Sequence, residues 1–337
     1  MRILERLEQL YAIGGGRGAN RPHGSREEDA AHELAAGWME EAGLEVVVDP
    51  DGNLVGRAPE RANVWVGSHL DTVPHGGRFD GALGVVAGIE AVEGVGRGSV
   101  VAFRGEEVGC IGSRALVARG EGLPAAFLEL HVEQGPVLAE AGAPLGVVTS
   151  IVGYARGELV FNGRAGHAGT TPMTGRDDAL VAAAKAILGI REAARGIAGA
   201  VATVGQLTVE PGGSNVIPAR VRISVDARAP DVRRLDELVA AIGFEPVDRT
   251  LPVAMAEEPR RILLDEIGNR GLPAIELPSG AGHDAGILAA DGVPSAMLFV
   301  RSLNDGVSHS PEELSSEEDI ALAVEVLSAA LGRLASA

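Results

Sequence analysis

His69, Asp71 and Asp80 stand in the stretch VGSHLDTVPHGGRFDGALG, at the end of an apolar run and in the Gly-rich loop that follows it. An imidazole there can offer nitrogen to a cation, and Asp71, two residues on, can aim the ring by accepting a hydrogen bond from its other nitrogen. Asp80, just before an apolar helical run, could bridge two cations through its two oxygens. Taken alone, these residues fit a turn and a helix cap better than a ligand set. Glu106 and Glu107 follow a second apolar run in FRGEEVG, and adjacent carboxylates repel each other unless a metal or a shared proton compensates. One of the pair can bind a cation while the other takes a proton from an attacking water. His131 in LELHVEQGP and His309 in GVSHSPEE complete the set. Three histidines, two carboxylates and a further glutamate are the nitrogen and oxygen donors of a dinuclear zinc or manganese site.

The elements that must position these groups follow from periodicity. Ser25 and Glu28 read as a capping-box pair opening an amphipathic helix that Gly43 ends, and LEVVVD reads as the next strand. NLVGRA and NVWVGSHLD read as strands, GALGVVAGIEAV as a helix, SVVAFRG as a strand, SRALVARG as a helix and AAFLELHVE as a strand. Strands alternating with helices indicate an α/β sheet with functional residues on its loops. From about residue 150 the order becomes β-α-β-β-α-β: ARGELVFNGRAG, a helix from Asp177, the long strands AVATVGQLTVEPG and NVIPARVRISVDARA, the helix DVRRLDELVAAIG and a last strand FEPVDRTL. That is the ferredoxin-like arrangement. The expectation is a discontinuous mixed-sheet catalytic domain, 1–149 plus 257–337, with an inserted lid and dimerisation domain over 150–256. Its edge strand could pair two copies of the chain into a homodimer.

A chain of 337 residues with 46% hydrophobic content can bury a large core in two domains. Its net charge of -18 would repel nucleic acid and anionic membranes, which leaves a small molecule as the expected partner. Cys110 is the single cysteine, so an intrachain disulfide and thiolate metal clusters are excluded. Met1 leads into the charged ILERLEQLYAI rather than a signal peptide, and no apolar run approaches the roughly 18 residues of a membrane span. The expected location is the cytoplasm.

Six stretches, GSHLDTVPHGGRFDGALGV, ELHVEQGP, GRAGHAGTTPM, GGSNVIPARV, SGAGHDA and SHSPEE, span nearly the whole chain. In that order they resemble the motifs of the metal-dependent amidases of the aminoacylase and carboxypeptidase superfamily, the family of N-carbamoyl-L-amino acid hydrolase, allantoate amidohydrolase and beta-ureidopropionase. The resemblance implies two divalent metal ions, zinc first, with manganese, cobalt or nickel as alternatives. It puts His69, Asp80 and His131 on one ion and Asp80, Glu107 and His309 on the other. Glu106 becomes the general base for a water bridging the ions, with Asp71 and His167 as its catalytic companions.

The same resemblance makes His167 and Asn215 oxyanion stabilisers, puts Arg228 on a substrate carboxylate and Gln134 on the ureido or amide group, and brings Gly282 and His283 to the substrate. The implied reaction is hydrolysis of the C–N bond of an N-carbamoyl-L-amino acid. Allantoate hydrolysis and a dipeptidase or aminoacylase activity are its neighbours, and a non-catalytic binding homologue is the alternative of another class. Glu106 weighs against the last, because a pure binder needs no base beside Glu107. One departure stands out: the connection from Glu107 to His131 is much shorter than the family usually carries.

Overall fold

Four parallel strands, Arg97–Phe103, Glu60–His69, Ala126–Val132 and Ser295–Val300, lie side by side in that order within a nine-stranded sheet. Three of them are near-continuous runs of buried residues, the pattern of strands covered on both faces. The computed structural model describes residues 2–336. Antiparallel strands flank the parallel block, Leu54–Arg57 and Glu45–Val48 on one side and Leu145–Ile151 on the other, so the sheet is mixed. The strands that follow Glu60–His69 in the chain lie on opposite sides of it. Its carboxyl end, where His69 stands, is therefore a topological switch point, the place where α/β sheets bind ligands.

Helix Ala82–Val95 is buried along most of its length and packs on the strands of this block and on the last helix, Glu317–Leu334. The resulting core is aliphatic, with Val66, Val86, Ile89, Leu128, Leu298 and Leu327 at its centre. Ser25 caps helix Arg26–Glu41 by accepting the Glu28 N–H at 3.1 Å. The reciprocal half of the expected capping box goes elsewhere. Glu28 Oε2 accepts the Gly24 N–H at 2.7 Å and Oε1 accepts that of Gly105 at 3.3 Å, tying the helix start to the loop that carries Glu106 and Glu107.

The chain divides into two compact units, Met1–Thr149 with Ala254–Ala337, and Ser150–Val253. In the second, strands run in the order Leu207–Glu210, Arg220–Ala229, Gly153–Asn162, Asp248–Thr250, with Val201–Thr203 also on Arg220–Ala229. Helices Ala179–Arg195 and Val232–Ile242 pack on this sheet, and Asp178 and Asp231 cap them. The two long strands expected here are each interrupted. AVATVGQLTVE breaks around Gln206, where Ser224 bonds Gln206 through both its main chain and its hydroxyl, and NVIPARVRI breaks at Pro218, which has no N–H to give a ladder. No helix among the described residues is long and apolar enough to cross a membrane.

Candidate metal centre

His69 ends one central strand, His131 is the penultimate residue of the next, and Glu106 and Glu107 follow Phe103 at the end of a third. Parallel strands present their carboxyl ends on one edge, so three distant segments deliver their side chains to one place. Asp80 arrives on the loop before helix Ala82–Val95. Gly81 must be glycine for this: its φ is +64°, and a Cβ there would meet the His69 ring at 2.4 Å. His309 comes from the loop before the last helix, itself at φ +52°.

Asp80 is the hub. Its Oδ1 lies 3.2 Å from His131 Nε2 and 3.5 Å from His69 Nε2, and its Oδ2 lies 3.3 Å from His309 Nε2. Glu107 Oε2 is 3.5 Å from the same His309 nitrogen. Two donor groups result, His69 with Asp80 and His131, and Asp80 with Glu107 and His309, the donor atoms of each lying within 4.8 Å of one another. His69 Nε2 is buried and has no hydrogen-bond partner, while its Nδ1 is fixed by the main-chain oxygen of Asp71 at 3.1 Å. An orphaned imidazole nitrogen aimed at carboxylates, within a set of only nitrogen and oxygen donors, fits a divalent cation such as zinc or manganese.

Asp71 does more than face His69. Its carboxylate sits 3.4 Å from His69 Nδ1 but takes its main-chain bonds from Glu106 and Glu107, each N–H reaching one oxygen at 3.1 Å. Gln134, expected on the substrate, here donates its amide to Asp80 Oδ2 at 3.0 Å and to Ser308 at 3.2 Å, from a backbone at φ +58°. His283 is buried, its ring 4.6 Å from that of His131 and its Nε2 bonded to Ser279 Oγ at 2.9 Å. Gly282 beside it is exposed, with open space where a Cβ would stand.

The electrostatics follow from crowding charge in a dry place. Burial works to lower the His69 imidazole, but Glu106, Asp71 and Asp80 override it and hold the ring well above its ordinary value. Burial would raise Asp80, and the histidines His131, His309 and His69 instead hold it well below the usual carboxylate range. Burial, reinforced by Glu107 and Glu129 and opposed by His69, pushes Glu106 up to about 7. A carboxyl with that proton affinity is suited to taking a proton near neutral pH.

Three further acidic residues, Glu313, Glu129 and Asp284, stand within the stretches SHSPEE, ELHVEQGP and SGAGHDA and bond to the segments around the site. Glu313, buried, accepts the Phe79 and Asp80 N–H groups at 2.7 and 3.1 Å through Oε1 and the Ser308 hydroxyl at 2.8 Å through Oε2. It therefore joins the loop of Asp80 to the loop of His309. Glu129, two residues before His131, accepts the Ser68 hydroxyl at 2.7 Å and the Ala285 N–H at 2.8 Å. Asp284 accepts the Ser113 hydroxyl at 2.6 Å, and its second oxygen has no partner. Their sequence signal was a place in those stretches, with no partner to show what each carboxylate holds.

The remaining expected residues belong to the second unit. His167 lies on the short strand Gly166–His167, exposed, and its Nδ1 accepts the N–H groups of Gly169 and Thr170 at 3.0 and 3.3 Å. In the neutral ring the proton therefore sits on Nε2, which is left as a donor. Asn215 immediately precedes the paired strand and holds Ala168 through its main-chain oxygen at 2.9 Å. Arg228 is half-buried and forked onto Asp226, Nε to Oδ1 at 3.0 Å and a terminal nitrogen to Oδ2 at 3.2 Å.

Comparison with known proteins sets this geometry in context. The family model described as Peptidase family M20/M25/M40 matches residues 65–333. An N-carbamoyl-L-amino acid amidohydrolase of Geobacillus stearothermophilus is 39% identical, the match covering 97% of this chain and 96% of the relative. That alignment runs over 395 positions, more than the 337 residues of this chain, so the relative carries insertions that this chain lacks. An allantoate amidohydrolase of Bacillus subtilis (strain 168) is 32% identical over 88% of each chain. Among solved structures, a putative amidohydrolase/peptidase from Burkholderia cenocepacia superposes with a TM-score of 0.91 at 30% identity, covering 100% of this chain and 98% of the other.

Proposed function

The chain belongs to peptidase family M20/M25/M40, and from that premise we propose that it is an amidohydrolase cleaving the ureido C–N bond of N-carbamoyl-L-amino acids. The observation that carries this reading is the pair of donor groups sharing Asp80, with Glu106 beside them. Two divalent ions would be held by His69, Asp80 and His131 and by Asp80, Glu107 and His309. When bound, such ions act as Lewis acids, lowering the pKa of water and accepting charge from the carbonyl oxygen.

The residues do the rest. Glu106, set by Asp71 through the main chain, takes the proton of the attacking water as its oxygen adds to the ureido carbon. Glu106 then returns that proton to the amino acid nitrogen as the C–N bond breaks, and the carbamate released gives ammonia and carbon dioxide. His167, with its Nε2 proton, and Asn215 are assigned to the developing oxyanion. Arg228 is assigned to the substrate carboxylate, for which a planar guanidinium is suited, and Gln134, Gly282 and His283 to the substrate beside the ions. We read the second unit as a ferredoxin-like lid that also pairs two copies of the chain. Val201 and Leu207 on its outer strands and Val181 and Leu188 on helix Ala179–Arg195 are exposed apolar groups that support such pairing.

The experiment is a panel of N-carbamoyl-L-amino acids, allantoate, ureidopropionate and dipeptides, assayed with zinc- or manganese-loaded protein. Highest kcat/KM on an N-carbamoyl-L-amino acid is expected. Preference for allantoate would move the reading to the second relative's activity, and binding of every substrate without turnover would identify a binding homologue. Sedimentation at micromolar concentration tests the dimer.

A further inference from the structure

Arg21 is fully buried and has no ion-pair partner among the described residues. A guanidinium out of water is costly, and a chain seldom tolerates one without a purpose. Burial pushes its pKa down to about 10, against the pull of Asp71 and Asp80, so it remains charged at neutral pH. Its bonds go to backbone. Nε donates to Leu70 O at 2.7 Å, and one terminal nitrogen donates to Leu10 O, in the last turn of helix Arg2–Tyr11, at 2.8 Å. The other terminal nitrogen has no partner. The main chain repeats the attachment: Arg21 N–H donates to Thr72 Oγ1 at 2.9 Å, and Thr72 N–H donates to Arg21 O at 3.1 Å.

All of these contacts on the sheet side fall on Leu70 and Thr72, which flank Asp71 and follow His69. Those residues leave the strand just where the His69 ring must turn toward Asp80 and where Asp71 must reach the Glu106 and Glu107 amides. A turn of this kind has no ladder of its own to hold it, since the pairing of the strand ends at His69. We propose that Arg21 is a positioning residue for the metal centre, clamping the Leu70–Thr72 turn against the end of the first helix so that His69 and Asp71 keep their ligand-holding orientation. The inference rests on the reading of the site as a metal centre, and its test reads metal affinity directly.

Two ways of acting are distinguishable by sign. A buried cation close to the ions repels them, so a residue acting through its charge would, when neutralised, bind metal more tightly. A clamp, when lost, binds metal more weakly. Metal-free wild type, Arg21→Met and Arg21→Lys are titrated with Mn2+ by calorimetry, with thermal unfolding of each metal-free protein recorded alongside. The Lys variant keeps the charge but cannot bond Leu70 O and Leu10 O with one planar fork. Weakening of about tenfold or more in both variants, beyond any change in the wild-type-like melting of the metal-free chain, is expected.

Unchanged affinity in both, tighter binding in Arg21→Met, or wild-type affinity in Arg21→Lys would overturn the clamp. Where Arg21→Met does not fold, Thr72→Val decides, because it exchanges the hydroxyl that accepts the Arg21 N–H for a methyl group and so removes one attachment of Arg21 to the turn. It should weaken Mn2+ binding in the same direction, and wild-type affinity in that variant overturns the proposal. A wild-type protein that binds no Mn2+ or Zn2+ would instead remove the metal reading, and this inference with it.

Discussion

Oδ2 of Asp71 accepts the main-chain N–H of Glu107 at 3.1 Å. Its Oδ1 does the same for Glu106, so one buried carboxylate sets both the proposed base and the proposed ligand beside it. Asp71→Asn turns one acceptor into an NH2 group facing an N–H, which removes a charge-assisted bond and adds a repulsion. Such a loss is worth about 1.5 to 3 kcal/mol, or roughly tenfold to a hundredfold in rate if it falls on the transition state. The expected outcome is a fall of that size in kcat with both ions still present by elemental analysis. Unchanged kcat would reduce Asp71 to a structural residue.

Glu106→Gln keeps the shape of the side chain and removes the proton acceptor. We expect wild-type metal content and near-normal substrate binding with most turnover lost, whereas Glu107→Gln should lose metal first. Steady-state kinetics on metal-loaded samples separate the two, and a Glu106→Gln protein with ordinary kcat would end the base assignment.

The two donor groups differ in exposure. His131 and His69 side chains are 1% exposed and Asp80 4%, but His309 is 49% exposed. On the proposed assignment, an ion held by Glu107 and His309 is expected to leave first. Timed treatment with a chelator, followed by elemental analysis, is expected to give a fast loss of one ion and a slow loss of the other, with activity following the fast phase. Loss of both ions in a single phase would contradict the assignment of separate buried and open positions.

How far the sequence carries depends on whether a signal is local. The central strands were legible because VWV, VVAF and AFLEL are short apolar runs bounded by turns, and their ends located His69, Glu106 and His131. Leu145–Ile151 went unread, its apolar run lying between a Gly and Ala rich turn and the start of the next strand with no break at Ser150. Glu313 stood within SHSPEE without a role, and Arg21 carried no signal at all. Each acts on backbone that is far away in sequence, Glu313 on Phe79 and Asp80 and Arg21 on Leu70, and nothing local distinguishes a buried charge of this kind from a surface one. Glu28 shows the same limit from the other side, since its capping pattern was correct for Ser25 while its own carboxylate was claimed by Gly105.

His32 offers a test of acid stability outside the metal centre. It is 4% exposed, its Nδ1 bonded to Glu28 O at 3.0 Å, and burial, helped by Arg104, lowers its pKa to about 4. Between about pH 6.5 and that value the unfolded chain holds a proton here that the folded chain does not. Stability is complete above that window and falls as pH drops through it, by about 3 kcal/mol in full. His32→Met removes the titration, so urea unfolding of the metal-free protein from pH 7 to 4.5 should show a shallower loss in the variant. Equal slopes would mean that His32 does not carry this linkage.

The proposed role of Arg228 on the substrate carboxylate makes a prediction about specificity. Its guanidinium is already forked onto Asp226, which also accepts Arg156 Nε at 2.9 Å, so a substrate carboxylate must share the guanidinium with a standing carboxylate. That sharing fixes the plane of the fork in advance, which favours a second bidentate partner, but it also neutralises part of the charge. Losing a charge-assisted pair costs about 1.5 to 3 kcal/mol, and with Asp226 in place the lower end applies, roughly tenfold in binding. We therefore expect Arg228→Ala to raise KM about tenfold for N-carbamoyl substrates with a free α-carboxylate and to change little for the matching carboxamides. The carboxamide forfeits the interaction already, so the comparison isolates the charge. The net charge of -18 gives an anionic substrate little general attraction, which makes one local guanidinium count for more. Equal losses on acid and amide would make Arg228 and Asp226 a structural pair, and would pass carboxylate recognition to the main-chain amides between Ser279 and His283.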